Sequence, residues 1–554
     1  MADKDFRKSV IYQIYPKSFC DSNKDGLGDI RGVIGKLDYI KELGADYIWS
    51  TPFFVSPQND NGYDVEDYYN IDPRYGTMAD VEELIAEAEK RGIGLMFDMV
   101  FNHVSTRHEW FRKAMEGDEY YKDFFFFRKG KPDGSAPTNW ESKFGGTAWE
   151  YVEKFDEYYL HLFDVTQADL NWDNENVRKE IQKIVRFWME KGVKGFRFDV
   201  VNLISKSTFE DDLTGDGRRY YTDGPNIHKY LKELNEMTFG TDRQIVTVGE
   251  MSSTSIENCF RYAGRDTNEL SMVFSFHHLK VDFMGNEKWV LVPADFQKLK
   301  DIIFEWQTKM AEHNAWNAVF WCNHDQPRVV SRFGDEEKYW KESAKMLGTI
   351  IHCLRGTPYV YQGEEIGMMN TDFTDISQFR DVESLNHYRI LQDKGLSASD
   401  ALRIIQIRSR DNGRTPMQWD DTKYAGFSAE DSKEPWIAVN GNHTKVNAAA
   451  QLKEEDSIFH YYQKLIAMRK ELDVIAYGDI EPLTQRDPSV FAYRRTYEGH
   501  ELIVAANFYG RECEWKGAPD VTGYERVLGN YADTAAQENS AVTLKPYEVV
   551  VWYK

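Results

Sequence analysis

Four apolar, β-like runs end in side chains able to move protons or stabilise charge. Asp98-Met-Val-Phe-Asn102-His103 closes one, Gly195-Phe-Arg197-Phe-Asp199 a second, Val-Gly-Glu250 a third and Asn323-His324-Asp325 a fourth. A strand end is half buried, so a charge there is costly unless it is paired. A single such residue reads as an ion pair tying strand to loop; four together point to chemistry. Arg197 and Asp199 are two residues apart and project to the same side of a strand, where the guanidinium favours the ionised form of Asp199. Glu250 follows an apolar run and is expected among other carboxylates, a setting that keeps a proton on a carboxyl group. One ionised and one protonated carboxyl group is the requirement for cleaving a glycosidic bond. His103 and His324 add N–H donors suited to sugar hydroxyls.

These groups need a scaffold that brings strand ends together. Short runs rich in Val, Ile, Phe and Tyr occur at 10–16, 46–51, 95–100, 195–200, 245–250, 271–276, 317–323 and 357–362. Their length suits buried parallel strands. Amphipathic stretches alternate with them. Thr77 caps 78–91, with Val81, Leu84, Ile85 and Ala88 on one face and Gly92 at the end; 177–191 carries Val177, Ile181, Ile184, Val185 and Trp188 on one stripe and stops at Gly192. Eight strand–helix units predict an α/β fold, a (β/α)8 TIM barrel with functional groups at the C-terminal strand ends. The barrel is expected over 1–101 and 173–479, with an inserted subdomain at 102–172 after the third strand. The segment 365–456 reads as a long polar excursion. From 480 to 554 only β-runs remain (489–497, 501–508, 543–553), which predicts a C-terminal antiparallel β-domain.

The ordered set Asp98–His103, Gly195–Asp199, Glu250 and Asn323–Asp325 resembles the signature regions of the α-amylase superfamily, glycoside hydrolase family thirteen, and Gln167-Ala-Asp169-Leu170-Asn171 resembles its extra signature late in the inserted domain. The resemblance implies a retaining double displacement, with Asp199 as nucleophile, Glu250 as general acid/base and Asp325 gripping the sugar hydroxyls. It further implies that Asp60 and Tyr63 floor a pocket for one terminal glucose, that Arg414 closes it beside Asp60, and that Arg197, His103 and His324 serve the same pocket.

Residues 21–29 place oxygen ligands at every second position: Asp21, Asn23, Asp25, the Leu27 carbonyl and Asp29, with Gly26 at the sixth position for a sharp turn. This is the first half of an EF-hand-like loop without its distal glutamate. It resembles a structural Ca²⁺ site in related glucosidases; catalysis itself is expected to need no metal.

The net charge of −23 argues against nucleic acid or an anionic membrane as partner. An anionic small molecule would need a local cluster of cations. Several segments resemble the phosphotrehalase branch of the family: Val248–Ser255, Phe274–Asp282 with Glu287-Lys288-Trp289, Leu203–Lys206, Asp216–Gly224 and Asp381–Asn386. That resemblance implies a phosphorylated disaccharide, trehalose 6-phosphate, with Lys280 and Lys288 at the barrel mouth holding the phosphate and His277 and His278 assisting. The alternative is an oligo-1,6-glucosidase or dextran glucosidase. Val200, after the nucleophile, fits both, excluding α-1,4 links by bulk. Five cysteines, an odd number without metal spacing, and an N-terminus lacking an apolar leader predict a reduced, cytoplasmic protein. A monomer is expected.

Overall fold

The computed structural model describes residues 5–533, 537–538 and 540–554. Eight parallel strands close a barrel in chain order: β1 (Ile11–Ile14), β2 (Tyr47–Ser50), β3 (Gly94–Met99), β4 (Gly195–Phe198), β5 (Val246–Glu250), β6 (Met272–Phe274), β7 (Asn317–Val319) and β8 (Thr357–Tyr361). Each falls on an apolar run of the sequence. β6 and β7 keep three residues each of their runs, β7 leaving the ladder after Val319. Nearly every strand residue is buried, as parallel strands covered on both faces must be.

The chain divides into two compact units, residues 49–90 with 94–275, and residues 1–48 with 91–93 and 276–554. In the former, β3, β4, β5 and β6 lie side by side. Arg197 stands opposite Asp98 and Val248, Phe198 opposite Met99 and Gly249, and Glu250 opposite Phe274. The helices Met78–Lys90 and Glu175–Glu190 bury the two apolar stripes read from the sequence. The second is capped by Asn174, which accepts from the Asn176 N–H, and gives way to Gly192 at φ 101°. Between 102 and 172, His103–Ser105 pairs antiparallel with Gln167–Asp169, and Phe127–Arg128, Glu157–Leu160 and Trp149–Val152 form a small sheet. Its core of Phe126, Trp140, Trp149, Leu160 and Leu162 includes Val200 and Leu203 from the loop after β4.

In the other unit β8 pairs with β1 and β7. The stretch 365–456, expected as a polar excursion, contains the helices Val382–Asp393 and Ala398–Arg408. They close over Trp289, Phe373, Phe379 and Ile437. The first buries only Ser384 and Leu391, too thin a stripe for a sequence pattern. From Asp479 a five-stranded and a three-stranded antiparallel sheet enclose a core with Trp515, Val542, Val550 and Trp552. Val490–Tyr497 and His500–Asn507 form a hairpin around Glu498 (φ 49°) and Gly499 (φ 88°), a turn matched to strand twist. The run 543–553, expected as one strand, is two strands in different sheets, Ala541–Leu544 and Val549–Tyr553. Pro546 cannot donate to a ladder, and Tyr547 turns the chain at φ 51°. All five cysteines are free. Among the described residues no helix is long and apolar enough to cross a membrane.

Candidate active site

The register of β3, β4 and β5 gathers the charged strand ends. Asp199 and Glu250 each follow directly on a paired residue, Phe198 and Gly249, so they end neighbouring strands whose spacing is about 4.8 Å. Arg197 lies beneath them with its side chain 1% exposed. Its NH1 donates to Asp98 Oδ1 at 2.6 Å and to Asp199 Oδ1 at 2.7 Å, and its NH2 pairs with Glu250 Oε2. One guanidinium therefore holds both carboxylates. The sequence placed Arg197 with Asp199 alone and surrounded Glu250 only with carboxylates; cross-strand register adds the cation to Glu250. Asp98 anchors the guanidinium from below. Burial drives its carboxyl group well above the usual carboxylate range, against the opposing pull of Arg197. Its Oδ2 accepts from the Tyr63 hydroxyl at 2.9 Å and from Trp49 Nε1 at 3.2 Å.

Asp60 is buried, and its Oδ2 accepts from Gln167 Nε2 at 3.1 Å. The same amide nitrogen is 3.0 Å from the Tyr63 carbonyl. His103 Nε2 lies 3.0 Å from that carbonyl, and Asn102 Nδ2 lies 3.3 Å from His103 Nδ1. These partners assign the ring proton to Nε2, and burial lowers the histidine pKa, so the ring is a neutral donor. Gln167 had been legible only as one letter of a signature; its joint contact with Asp60 and Tyr63 is a tertiary fact.

A second constellation follows β7. Asp325 Oδ1 accepts from Arg414 NH2 at 2.8 Å and Arg410 NH1 at 3.3 Å. Arg414 also donates from Nε to the His324 carbonyl at 2.9 Å. Arg410 reaches Asp381 Oδ1 from NH2 at 2.6 Å. Burial opposes ionisation of Asp381, but Arg410 and Arg414 overcome it and hold its carboxyl group well below the usual range. His324 is fully buried. Gln13 Nε2 sits 2.9 Å from its Nδ1, which leaves the proton on Nε2, 3.5 Å from Asp325 Oδ2. Arg410 went unnoticed in the sequence because its partners are remote along the chain.

Lys280 is half buried at the end of the single turn His277–Lys280. That turn is anchored by its histidines: His278 Nε2 is 2.7 Å from the Phe320 carbonyl, and His277 lies against Trp306. Lys288 is no solvated surface lysine. Its Nζ pairs with Glu383 at 2.8 Å and sits 4.6 Å from the centre of the Trp289 ring. Glu383 is also 3.5 Å from Arg410 Nε, so Lys288 joins the ion network that ends on Asp325.

In the loop 21–29, Asp21 accepts from the N–H groups of Asn23, Lys24 and Gly26 and from the Ser428 hydroxyl. Asp29 accepts from Ser22 and caps the helix Ile30–Ile34. Asn23 and Asp25 each accept one backbone N–H. Among the described residues no three His, Cys, Asp or Glu side chains gather as a metal cluster. An ion here therefore needs the Asn23 and Leu27 oxygens as well.

The catalytic-domain model of the α-amylase family matches residues 13–478. Trehalose-6-phosphate hydrolase of Bacillus subtilis is 53% identical over 99% of this chain and 98% of its own length. Oligo-1,6-glucosidase of Bacillus cereus is 46% identical over 99% of both. The crystal structure of Bacillus licheniformis trehalose-6-phosphate hydrolase superposes with a TM-score of 0.94 at 53% identity, covering 99% of each chain. With the barrel, the carboxylate-bearing strand ends and these full-length likenesses in agreement, the chain belongs to the α-amylase family of glycoside hydrolases.

Proposed function

We propose that the protein hydrolyses trehalose 6-phosphate to glucose and glucose 6-phosphate with retention of configuration. The observation that carries the reaction is the pair Asp199 and Glu250 on adjoining strand ends, held by one guanidinium. Retaining cleavage wants two carboxyl groups about 5–5.5 Å apart, a separation that neighbouring strands about 4.8 Å apart can accommodate. Asp199 attacks the anomeric carbon while Glu250 protonates the departing oxygen; the glucosyl ester on Asp199 is then cleaved by water that Glu250 deprotonates. The family resemblance assigns Asp325 to the sugar hydroxyls, and Asp60, Tyr63, His103, His324 and Arg414 to the terminal glucose.

The choice of substrate rests on the likeness to trehalose-6-phosphate hydrolases and on the cations after β6. Lys288 pairs with Glu383, and Arg410 and Arg414 with Asp381 and Asp325; Lys280 and Lys288 are the cations after β6 offered to a phosphate dianion. Purified protein given equal concentrations of trehalose 6-phosphate, trehalose and isomaltose is expected to release glucose fastest from the first; preference for isomaltose would sink the substrate assignment and leave the mechanism standing. Lys280→Ala and Lys288→Ala are each expected to lower the ratio of kcat/KM for trehalose 6-phosphate to that for trehalose by about 10-fold or more, the worth of a charged hydrogen bond. If both substrates lose equally, neither lysine reads the phosphate.

The loop 21–29 is proposed to hold a structural Ca²⁺. Its donors are all hard oxygens at alternate positions, as that ion prefers, although Asp21 must exchange some of its four hydrogen-bond donors for it. Calcium in excess over chelator is expected to raise the melting temperature by about 2 °C or more, and Asp25→Ala to remove that rise; an identical melting curve with and without chelator would exclude the ion. A cytoplasmic setting accords with the five free thiols.

A further inference from the structure

The loop behind Asp199 and the loop behind Glu250 are joined by one side-chain amide. Asn202, fully buried, donates from Nδ2 to the Ser252 carbonyl at 2.9 Å and accepts the Ser252 N–H on Oδ1 at 2.8 Å. Asn202 stands three residues after Asp199 and Ser252 two after Glu250, so the amide reproduces a two-bond ladder step just past the ends of β4 and β5. Its other Nδ2 proton goes to Asp223 Oδ1 at 3.1 Å. Asp223 accepts three more donors: the Tyr262 hydroxyl at 2.6 Å, the Thr254 hydroxyl at 2.8 Å and Asn258 Nδ2 at 2.8 Å. Four donors fill the capacity of a carboxylate, and three of them come from the segment after Glu250.

The surrounding backbone is built around this junction. Asp223 takes φ 51° and Ser253 φ 58°, left-handed conformations that cost a non-glycine residue unless neighbours enforce them. The Asp223 N–H returns to the Asn202 carbonyl at 2.9 Å. A Cβ on Gly224 would fall 1.9 Å from the Ser205 carbonyl oxygen, so only glycine lets this segment lie directly on the loop after β4.

We propose that Asn202 and Asp223 are positioning residues that fix the separation of Asp199 and Glu250. The proposal rests on reading those two as nucleophile and acid/base, but not on which glucoside is cleaved. Arg197 holds one oxygen of each carboxylate but not the backbone that carries them. Glu250 is the last residue of β5, so the direction of its side chain follows the loop that Asn202 and Asp223 hold. Misplacement by about 1 Å costs about 100-fold in rate, and it falls first on proton delivery to the leaving oxygen.

The test compares two leaving groups on wild type, Asn202→Ala and Asp223→Asn in the full-length protein. p-Nitrophenolate departs from its α-glucoside without a proton; a sugar does not. For each variant, kcat/KM on the disaccharide that wild type prefers is expected to fall about 100-fold, while p-nitrophenyl α-glucoside loses less than a tenth of that factor. Equal losses on both substrates, or no loss in either variant, would overturn the proposal. Asp223→Asn keeps size and shape, and serves if Asn202→Ala fails to fold. Wild type that cleaves neither substrate would overturn the reading of the Asp199 and Glu250 pair instead.

Discussion

Asp199→Asn is expected to lower kcat/KM by about 10⁴-fold or more on every α-glucoside, whatever its leaving group, because removing a covalent nucleophile cannot be offset by better departure. The substitution is nearly isosteric, and Asn keeps an oxygen that can accept from Arg197 NH1, now 2.7 Å from Asp199 Oδ1. Arg197 also retains Asp98 and Glu250 as counter-charges. The fold should therefore survive, with a melting temperature within a few degrees of wild type. Steady-state assays on a disaccharide and on p-nitrophenyl α-glucoside, beside a melting curve, check both halves. Residual turnover of several per cent with the fold intact would move the nucleophile elsewhere.

Arg197→Met should do the reverse, costing stability as well as activity. The methionine fills the volume but leaves Asp98, Asp199 and Glu250 without their shared cation. Removing one partner of a buried ionic cluster costs about 3–5 kcal/mol. The penalty has a predictable pH dependence. Burial already raises the Asp98 carboxyl pKa to about 7, with Arg197 opposing the rise; without Arg197 it rises further. A carboxyl group whose folded pKa lies above its unfolded value binds more protons when folded, so stability falls as pH climbs from the unfolded value through the folded one. The melting-temperature deficit of Arg197→Met is thus expected to be small near pH 5 and large near pH 8. A deficit independent of pH would mean that Arg197 contributes through packing alone.

The sequence by itself determined the elements and the identity of the reactive groups. Each barrel strand is an apolar run too short for a helix and bounded by turn residues. The stripes of Met78–Lys90 and Glu175–Glu190 recur at helical spacing, and Asp199 and Glu250 stand where their strands stop. These are local properties, carried by neighbours a few positions apart. Tertiary structure decided which groups share a partner. Arg197 serves Glu250 as well as Asp199 because β4 and β5 pair with Arg197 opposite Val248, a register that no single strand encodes. Arg410 and Arg414 reach Asp325 across 85 and 89 residues, and Asn202 meets Ser252 across 50. The helix Val382–Asp393, with one apolar residue buried, and the division of 543–553 between two sheets escaped the pattern for the same reason. Their place is set by what packs or pairs with them, and that partner lies elsewhere in the chain.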